Sequence, residues 1–496
     1  MSEPLLSLYP GTTVHDDRGL LTIRHRWGRT PVGPATPPLA DAMRSLIGGP
    51  MTGDELTDRL CAAARKAGLP AQPQLSLFHH ALDQLGHTLQ RHVGRGARAV
   101  ATAVPLAPAA APRLGPVSTG PLLLDRAAHL RPVEGEFVLE SARSHFRLRV
   151  EDDRAASLVA MLTRPVSRAE LDRVESSLPA GTRADFLALL VATGFAHPAG
   201  GDAEDIAGLP SGWTFHELLA FDGSRAGPRD RAYGPVFPLR GKEPPAPPCA
   251  LAPHGRTVPL HRPDLVRTSR EDRSFTDVLE ARSSHRVFGE QLLTAEQLGT
   301  FLYRSARVRT VLDARLDDDR PYAVTSRPYP SAGSAYELEV YLAVRRCDGL
   351  DPGLYHYDPL GHALTELSDS PDAADQLLNE AKAAAGGSAV PDVHFTLVSR
   401  IKRLSWKYAA HSYVLTLKNS GVLLQTLYLV ATAMGLAGCA LGGGDSDTPV
   451  RAFGLDPHTE TPVGAFLLGT APAATEHALH ENRLTIATTS PSGERI

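Results

Sequence analysis

From Val422 to Gly444 the chain carries no Asp, Glu, Lys or Arg. A stretch of that length has to be buried, either in a bilayer or in the core of a protein. Gln425, Thr426, Tyr428 and Thr432 interrupt it, and its last third is rich in glycine. These interruptions favour a core helix running to about Met434, followed by a glycine-rich loop. A helix so uniformly apolar needs a large core around it. At 496 residues the chain exceeds what one core supports, so two or three domains are expected. Hydrophobic residues at 42% and charged residues at 21% match soluble globular proteins. A net charge of −4 gives no electrostatic case for nucleic acid. Cys61, Cys249, Cys347 and Cys439 lie far apart with no CxxC spacing. Neither a metal site nor a disulfide framework is expected, and a cytoplasmic location fits. The first residues, MSEPLLSLYPG, lack the basic and apolar regions of a signal peptide.

The N-terminal half contains a diverged repeat. Leu39–Leu60 and Arg154–Val174 align, with Met51-Thr52-Gly53-Asp54-Glu55-Leu56 over Val166-Ser167-Arg168-Ala169-Glu170-Leu171. In each copy a short apolar helix precedes a Thr or Ser cap with Glu three residues on, the signature of a capping box. Strand-like stretches (Leu20–His25; Glu136–Val150) precede each copy, and a further helix follows. Helix–turn–helix flanked by hairpins predicts two winged-helix-like units, residues 1–103 and 117–200. Ser167–Leu178 balances acidic and basic side chains rather than forming a basic stripe, which favours peptide binding or scaffolding over DNA. Val104–Pro116 reads as a Pro/Ala linker. Lys242–Pro263 reads as a stronger one, because clustered prolines forbid helix and central strand. The main boundary is therefore expected near residue 260, with a lead-in segment at 201–263 and a final domain at 264–496.

That final domain concentrates the chemistry. Ser274 opens a helix with Asp277 at its capping position, and the helix ends in Arg282-Ser283-Ser284-His285-Arg286. Two guanidinium groups and two hydroxyls can grip a phosphate and bond a polar ring edge; a solvated helix end is the alternative. Thr294-x-x-Gln297 opens another helix, bearing Leu298, Phe301 and Leu302. The turn Pro330-Ser331-Ala332-Gly333-Ser334 leads into Glu337–Val344, read as an alternating strand. Small residues there let backbone N–H groups approach a flat polar ligand, although a plain hairpin entry is also compatible. Lys407, in a segment with Lys402, Arg403 and His411, reads on its own as a surface lysine.

Taken together, Arg282-x-Ser284-x-Arg286, PSAGS, the apolar helix and the glycine-rich loop resemble the flavin-dependent nitroreductase fold. RPYPSAGSAYELEVYLAV, GLYHYDP, Lys407-Tyr408 and GVLLQTLYLVATAMGLAG resemble its SagB-type branch. Those proteins are FMN-dependent dehydrogenases that convert azolines to azoles in ribosomally made peptides. The resemblance covers about residues 265–475 and extends more weakly to Trp213–Leu218 and Ser224–Gly227. Cyanobactin and thiopeptide members carry winged-helix peptide-clamp units ahead of the flavin domain, a plan the repeat fits.

The resemblance implies an α+β fold and FMN as cofactor. Arg282, Ser283, Ser284 and Arg286 would contact its phosphate and the N1/O2 ring edge. Pro330, Ser331, Ala332, Gly333 and Ser334 would come from the partner subunit of a homodimer whose flavin site lies at the interface. Gln425, Leu441, Gly442 and Gly443 would line the ring, with a glycine N–H at N5. Lys407 and Tyr408 would manage the proton lost from the azoline, and molecular oxygen would reoxidise the flavin. The implied partners are an azoline-bearing precursor peptide and a cyclodehydratase, with no nucleic acid and no membrane. Ala332 stands where many members have glycine. Gly469–Ala474 also offers no basic residue for the phosphate before Arg483, leaving the two arginines, Lys402 or Arg403 to serve. Competing readings are a nicotinamide-dependent reductase of the same fold, or a peptide-binding scaffold without catalysis.

Overall fold

The computed structural model describes residues 5–95, 98–112, 120–173, 178–199, 213–226, 231–251, 253–315, 321–368, 371–386 and 390–472. Residues 113–116 of the Pro/Ala stretch, Val174 at the end of the repeat, Gly227 and Arg483 lie outside them. The chain divides into two compact units, Met1–Arg231 and Ala232–Ile496.

In the first unit both capping boxes form. Thr52 Oγ1 accepts from Glu55 N at 3.1 Å, and Ser167 Oγ accepts from Glu170 N at 3.3 Å. Three helices (Pro37–Gly48, Gly53–Lys66, Ala71–Gln84) precede the hairpin Leu89–Arg95/Arg98–Pro105, and their apolar faces share a core with Leu21 and Ile23. A second core gathers Phe146, Leu148, Leu158, Phe186 and Phe195. One six-stranded sheet nevertheless joins the two copies, because Arg98–Pro105 pairs with Phe146–Val150.

Among the described residues the second unit is built on a seven-stranded, wholly antiparallel sheet. Its order is Thr257–Pro259, Ala363–Ser368, Gly353–Asp358, Leu338–Val344, Val393–Arg400, Glu460–Thr470, Leu436–Leu441. The long helix Ser412–Ala433 and the helix Ala295–Ala306 cover one face through Leu423, Leu427, Phe301 and Leu302. Pro371–Ala384 and Asp447–Phe453 cover the other. Leu338–Val344 is consequently buried at every position, not alternating as expected, since Leu338, Val340 and Leu342 meet one helical layer and Tyr341 and Ala343 the other.

The uncharged segment is a helix to Ala433, as its length suggested, but six of the residues that follow it form the strand Leu436–Leu441. Gly438 is required within that strand: a Cβ there would lie 2.6 Å from the Phe466 ring. By length and composition the helix could cross a membrane. Here one side of it packs into the sheet's core.

The division at Arg231/Ala232 differs from the boundary expected near residue 260, and Lys242–Pro263 does not run as a free linker. A proline-rich segment leaves its carbonyls unpaired by secondary structure, and this domain captures them. Arg403 Nη1 donates to Ala246 O at 2.8 Å, Arg400 Nη1 to Pro247 O at 2.8 Å, and Trp406 Nε1 to Glu243 O at 2.8 Å.

Candidate active site

The residues expected at the site fall into two groups on the long helix. The first gathers around Tyr428. The helix Phe275–Ala281, capped by Ser274 Oγ accepting from Asp277 N at 3.2 Å, delivers Arg282 at its C-terminus. The chain then runs beside Leu436–Leu441, with His285 N donating to Gly438 O at 2.9 Å. Ser284 Oγ and Tyr428 Oη are 2.8 Å apart, and Ala440 N donates to the same Oη at 2.7 Å. The Arg282 guanidinium lies 5.3 Å from the Tyr428 ring centre. Ser283 Oγ bonds His285 Nε2 at 3.0 Å; burial, then the Arg282 charge, push that imidazole below its ordinary range. Arg286 is exposed. Tyr428 thus fixes both the Arg282/Ser284 corner and the strand leading to the glycine loop. Sequence reasoning passed over it as an interruption of an apolar run.

Beyond that strand, Gly442, Gly443 and Gly444 are exposed beside a cleft of about 450 Å³, whose walls include Leu441, Tyr413, Leu417 and Pro462–Ala465. None of the three glycines has a left-handed backbone, and among the described residues a Cβ on any of them would meet no atom within 4 Å. Their backbone lies open to whatever approaches from outside.

The second group surrounds the PSAGS turn. Gly333, Ser334 and Tyr336 all have positive φ (57°, 55° and 48°), free for the glycine but strained at Ser334 and Tyr336, a conformation that persists only when surrounding contacts impose it. Those contacts radiate from Glu337, a fully buried carboxylate. Asn419 Nδ2 donates to Glu337 Oε1 at 2.8 Å, and Ser331 Oγ to Oε2 at 3.3 Å. Ala332 N donates to Asn419 Oδ1 at 3.1 Å, and Tyr336 N to Ser331 Oγ at 3.0 Å. Burial raises the Glu337 pKa above the usual carboxylate range, against the lowering effect of Asn419. On the outer side, a Cβ on Gly333 would lie 2.5 Å from Tyr408 Oη and 2.6 Å from Lys407 Nζ. Burial raises the Tyr408 phenol's pKa. Pro330 is exposed at the start of the turn.

The structure therefore brings PSAGS together with Lys407 and Tyr408 in one chain. Asn419 and Tyr428 are nine residues apart, which at about 100° per residue puts them on opposite faces of the helix, roughly 13 Å apart along its axis. Gln425 is exposed between them. Of the substitutes considered for phosphate binding, Arg403 is committed to Ala246 O, Ala323 O and Ala335 O, and Lys402 pairs with Glu243 at 2.9 Å. Arg282 and Arg286 are left as the cations of the first group.

Paired arginines and hydroxyls for a phosphate, and a bare glycine backbone on an open cleft for a flat ring, fit FMN. FMN is the cofactor this domain is built to hold.

Comparison with known proteins agrees. Residues 279–470 match the nitroreductase family, and residues 122–230 match cyanobactin oxidase ThcOx. MJ1384 of Methanocaldococcus jannaschii, which carries a nitroreductase name, is 26% identical over 38% of this chain and 85% of its own length. The microcin B17-processing protein McbC of Escherichia coli is 28% identical over 38% of this chain and 71% of its own. Among solved structures, the Escherichia coli microcin synthetase McbBCD complex with truncated pro-MccB17 aligns at 22% identity and a TM-score of 0.31, covering 38% of this chain and 70% of that one. Residues 279–470 are a nitroreductase-family domain, and the chain that carries it is a nitroreductase-like oxidoreductase.

Proposed function

We propose that the chain is an FMN-dependent azoline dehydrogenase, oxidising thiazolines or oxazolines in a ribosomally made peptide to the aromatic azoles. The observation that carries this reading is the apposition of Gly333 with Lys407 and Tyr408. It sets a basic and a phenolic side chain against the turn of a flavin-binding domain. The match of residues 122–230 to a cyanobactin oxidase supports a peptide as substrate.

Converting an azoline to an azole removes two hydrogens. One ring C–H bond breaks and its electron pair leaves with the hydrogen as hydride. The neighbouring C–H gives up a proton, and its pair becomes the new ring double bond. When bound, FMN supplies the two-electron acceptor for the hydride. Lys407, unprotonated, takes the proton. Tyr408, whose half-buried phenol has its pKa raised by burial, stays a hydrogen-bond donor that orients the substrate ring. Glu337 and Asn419 hold the turn against this pair through the hydrogen bonds of Asn419 to Glu337 and to the Ala332 N–H. Arg282, Ser284 and Arg286 bind the phosphate and ring edge, while Gly442 and Gly443 admit the ring. Molecular oxygen is the terminal acceptor in this scheme, and a cyclodehydration has to supply the azoline.

The two groups complete one site only across a homodimer, Lys407 and PSAGS from one chain and Arg282 and the glycine loop from its partner. The opposed helix faces support this, as do the exposed apolar side chains Phe275, Leu279, Tyr413 and Leu417. The N-terminal unit is assigned to gripping the peptide, and the location to the cytoplasm. Co-expressing Lys407→Ala with Arg282→Ala chains tests the shared site. Mixed dimers regain one intact site and turn over; activity absent from the mixture places the whole site within one chain. Purified protein incubated with an azoline-bearing peptide tests the reaction itself.

A further inference from the structure

We propose that Phe237, in a segment outside both family matches, is the positioning residue that sets where Lys407 gives up its proton. This rests on Lys407 being the base. Three aromatic rings enclose the ammonium: Phe237 with its centre 5.9 Å from Nζ, Tyr322 at 5.6 Å and Tyr408 at 5.4 Å. Each is within the range at which a ring face attracts a cation. A base has to be neutral to act, so a cage favouring the charged form sets the pH at which the base becomes available.

Phe237 is the member the fold holds at a cost. Its φ is +53°, uncommon for a bulky aromatic, and Pro238 follows it, which restricts it further. Four contacts impose the conformation. Phe237 N donates to Lys407 O at 3.0 Å, and Arg240 N donates to Phe237 O at 3.0 Å. The ring packs against Trp406 at 5.6 Å and Tyr322 at 6.4 Å between centres. Backbone strain of this kind, at a residue bonded to the base's own carbonyl, points to function. The Gly234–Ala409 bridge fixes the same stretch from the other side. The titratable and charged groups packed around Lys407 include Tyr322, Tyr408, Arg403 (4.9 Å from the Tyr322 ring centre) and His411 (5.3 Å from that of Tyr408). Tyr322 Oη donates to Gly333 O at 3.2 Å, which ties the cage to the turn.

The test compares Phe237→Leu, which keeps bulk but loses the ring face, with Phe237→Tyr, which keeps the ring. Trace acetylation of the full chain across pH, mapped by mass spectrometry against Lys402 and Lys418, reads the protonation of Lys407 without reference to turnover. In Phe237→Leu the midpoint moves down by about half to one pH unit, and in Phe237→Tyr it stays. The rising limb of azole formation against pH moves with it. An unmoved midpoint in Phe237→Leu, or an equal shift in both variants, overturns the proposal. Should Phe237→Leu fail to fold, Tyr322→Leu makes the same prediction. Lys407→Ala separates the two ideas: full activity there removes Lys407 as the base, while the acetylation midpoint still judges the cage.

Discussion

A Cβ on Gly333 would stand 2.6 Å from the Lys407 ammonium nitrogen, so two motifs 74 positions apart in sequence share one small volume. Gly333 also holds a left-handed backbone, at φ 57°. Gly333→Ala should therefore cost about 1 kcal/mol of stability, read from urea unfolding. It should lower azole formation at least tenfold by displacing Lys407 and Tyr408. Activity near the wild-type level would mean that the pair tolerates displacement and is not at the chemistry.

Tyr428→Phe removes one hydroxyl that serves Ser284 and Ala440 while leaving the ring beneath Arg282. Losing two hydrogen bonds at about 1 kcal/mol each should lower the stability read from urea unfolding by about 1–2 kcal/mol, and FMN should bind more weakly in a fluorescence titration as the Arg282/Ser284 corner loosens. Unchanged affinity would detach Tyr428 from the cofactor.

Glu337 gives a pH dependence of definite sign. Its folded-state pKa is raised, so its contribution to stability is complete below the unfolded value near 4.3 and is lost as pH rises through the raised one. Urea midpoints of the wild type and Glu337→Gln, followed from pH 4 to 8, should diverge in favour of the variant as pH rises. A constant difference would contradict the burial argument.

Much of this was legible locally. A capping box lies within four residues, and Thr52/Glu55, Ser167/Glu170 and Thr294/Gln297 all form as read. PSAGS and Arg282–Arg286 stand out in the sequence as short runs of small or cationic residues, but locally a hairpin entry and a solvated helix end are equally compatible with them. What escaped acts through space. Asn419 and Glu337 lie 82 positions apart, and only the fold shows that they meet beneath the turn. Glu337–Val344 reads as an alternating strand, yet helices cover both sides of it. Prolines between Lys242 and Pro263 forbid regular structure, but they say nothing about whether Arg400 and Arg403 will take up the carbonyls.

That capture makes a prediction about where the domain begins. A chain starting at Ala232 should unfold cooperatively, whereas one starting at Asp264 loses the contacts to Glu243, Ala246 and Pro247 and the strand Thr257–Pro259. The shorter chain should lose several kcal/mol, a large part of an ordinary stability of about 5–15 kcal/mol. Equal melting temperatures would return Lys242–Pro263 to the status of a linker.

The most direct measurement is the mass of an azoline-bearing peptide after incubation with the FMN-loaded protein in air. With the wild type the peptide should lose two hydrogens, about 2 Da, per ring oxidised. With Lys407→Ala, which should still purify yellow, its mass should not change. An unchanged peptide mass with flavin-loaded wild-type protein, or full oxidation by Lys407→Ala, would contradict the proposed reaction.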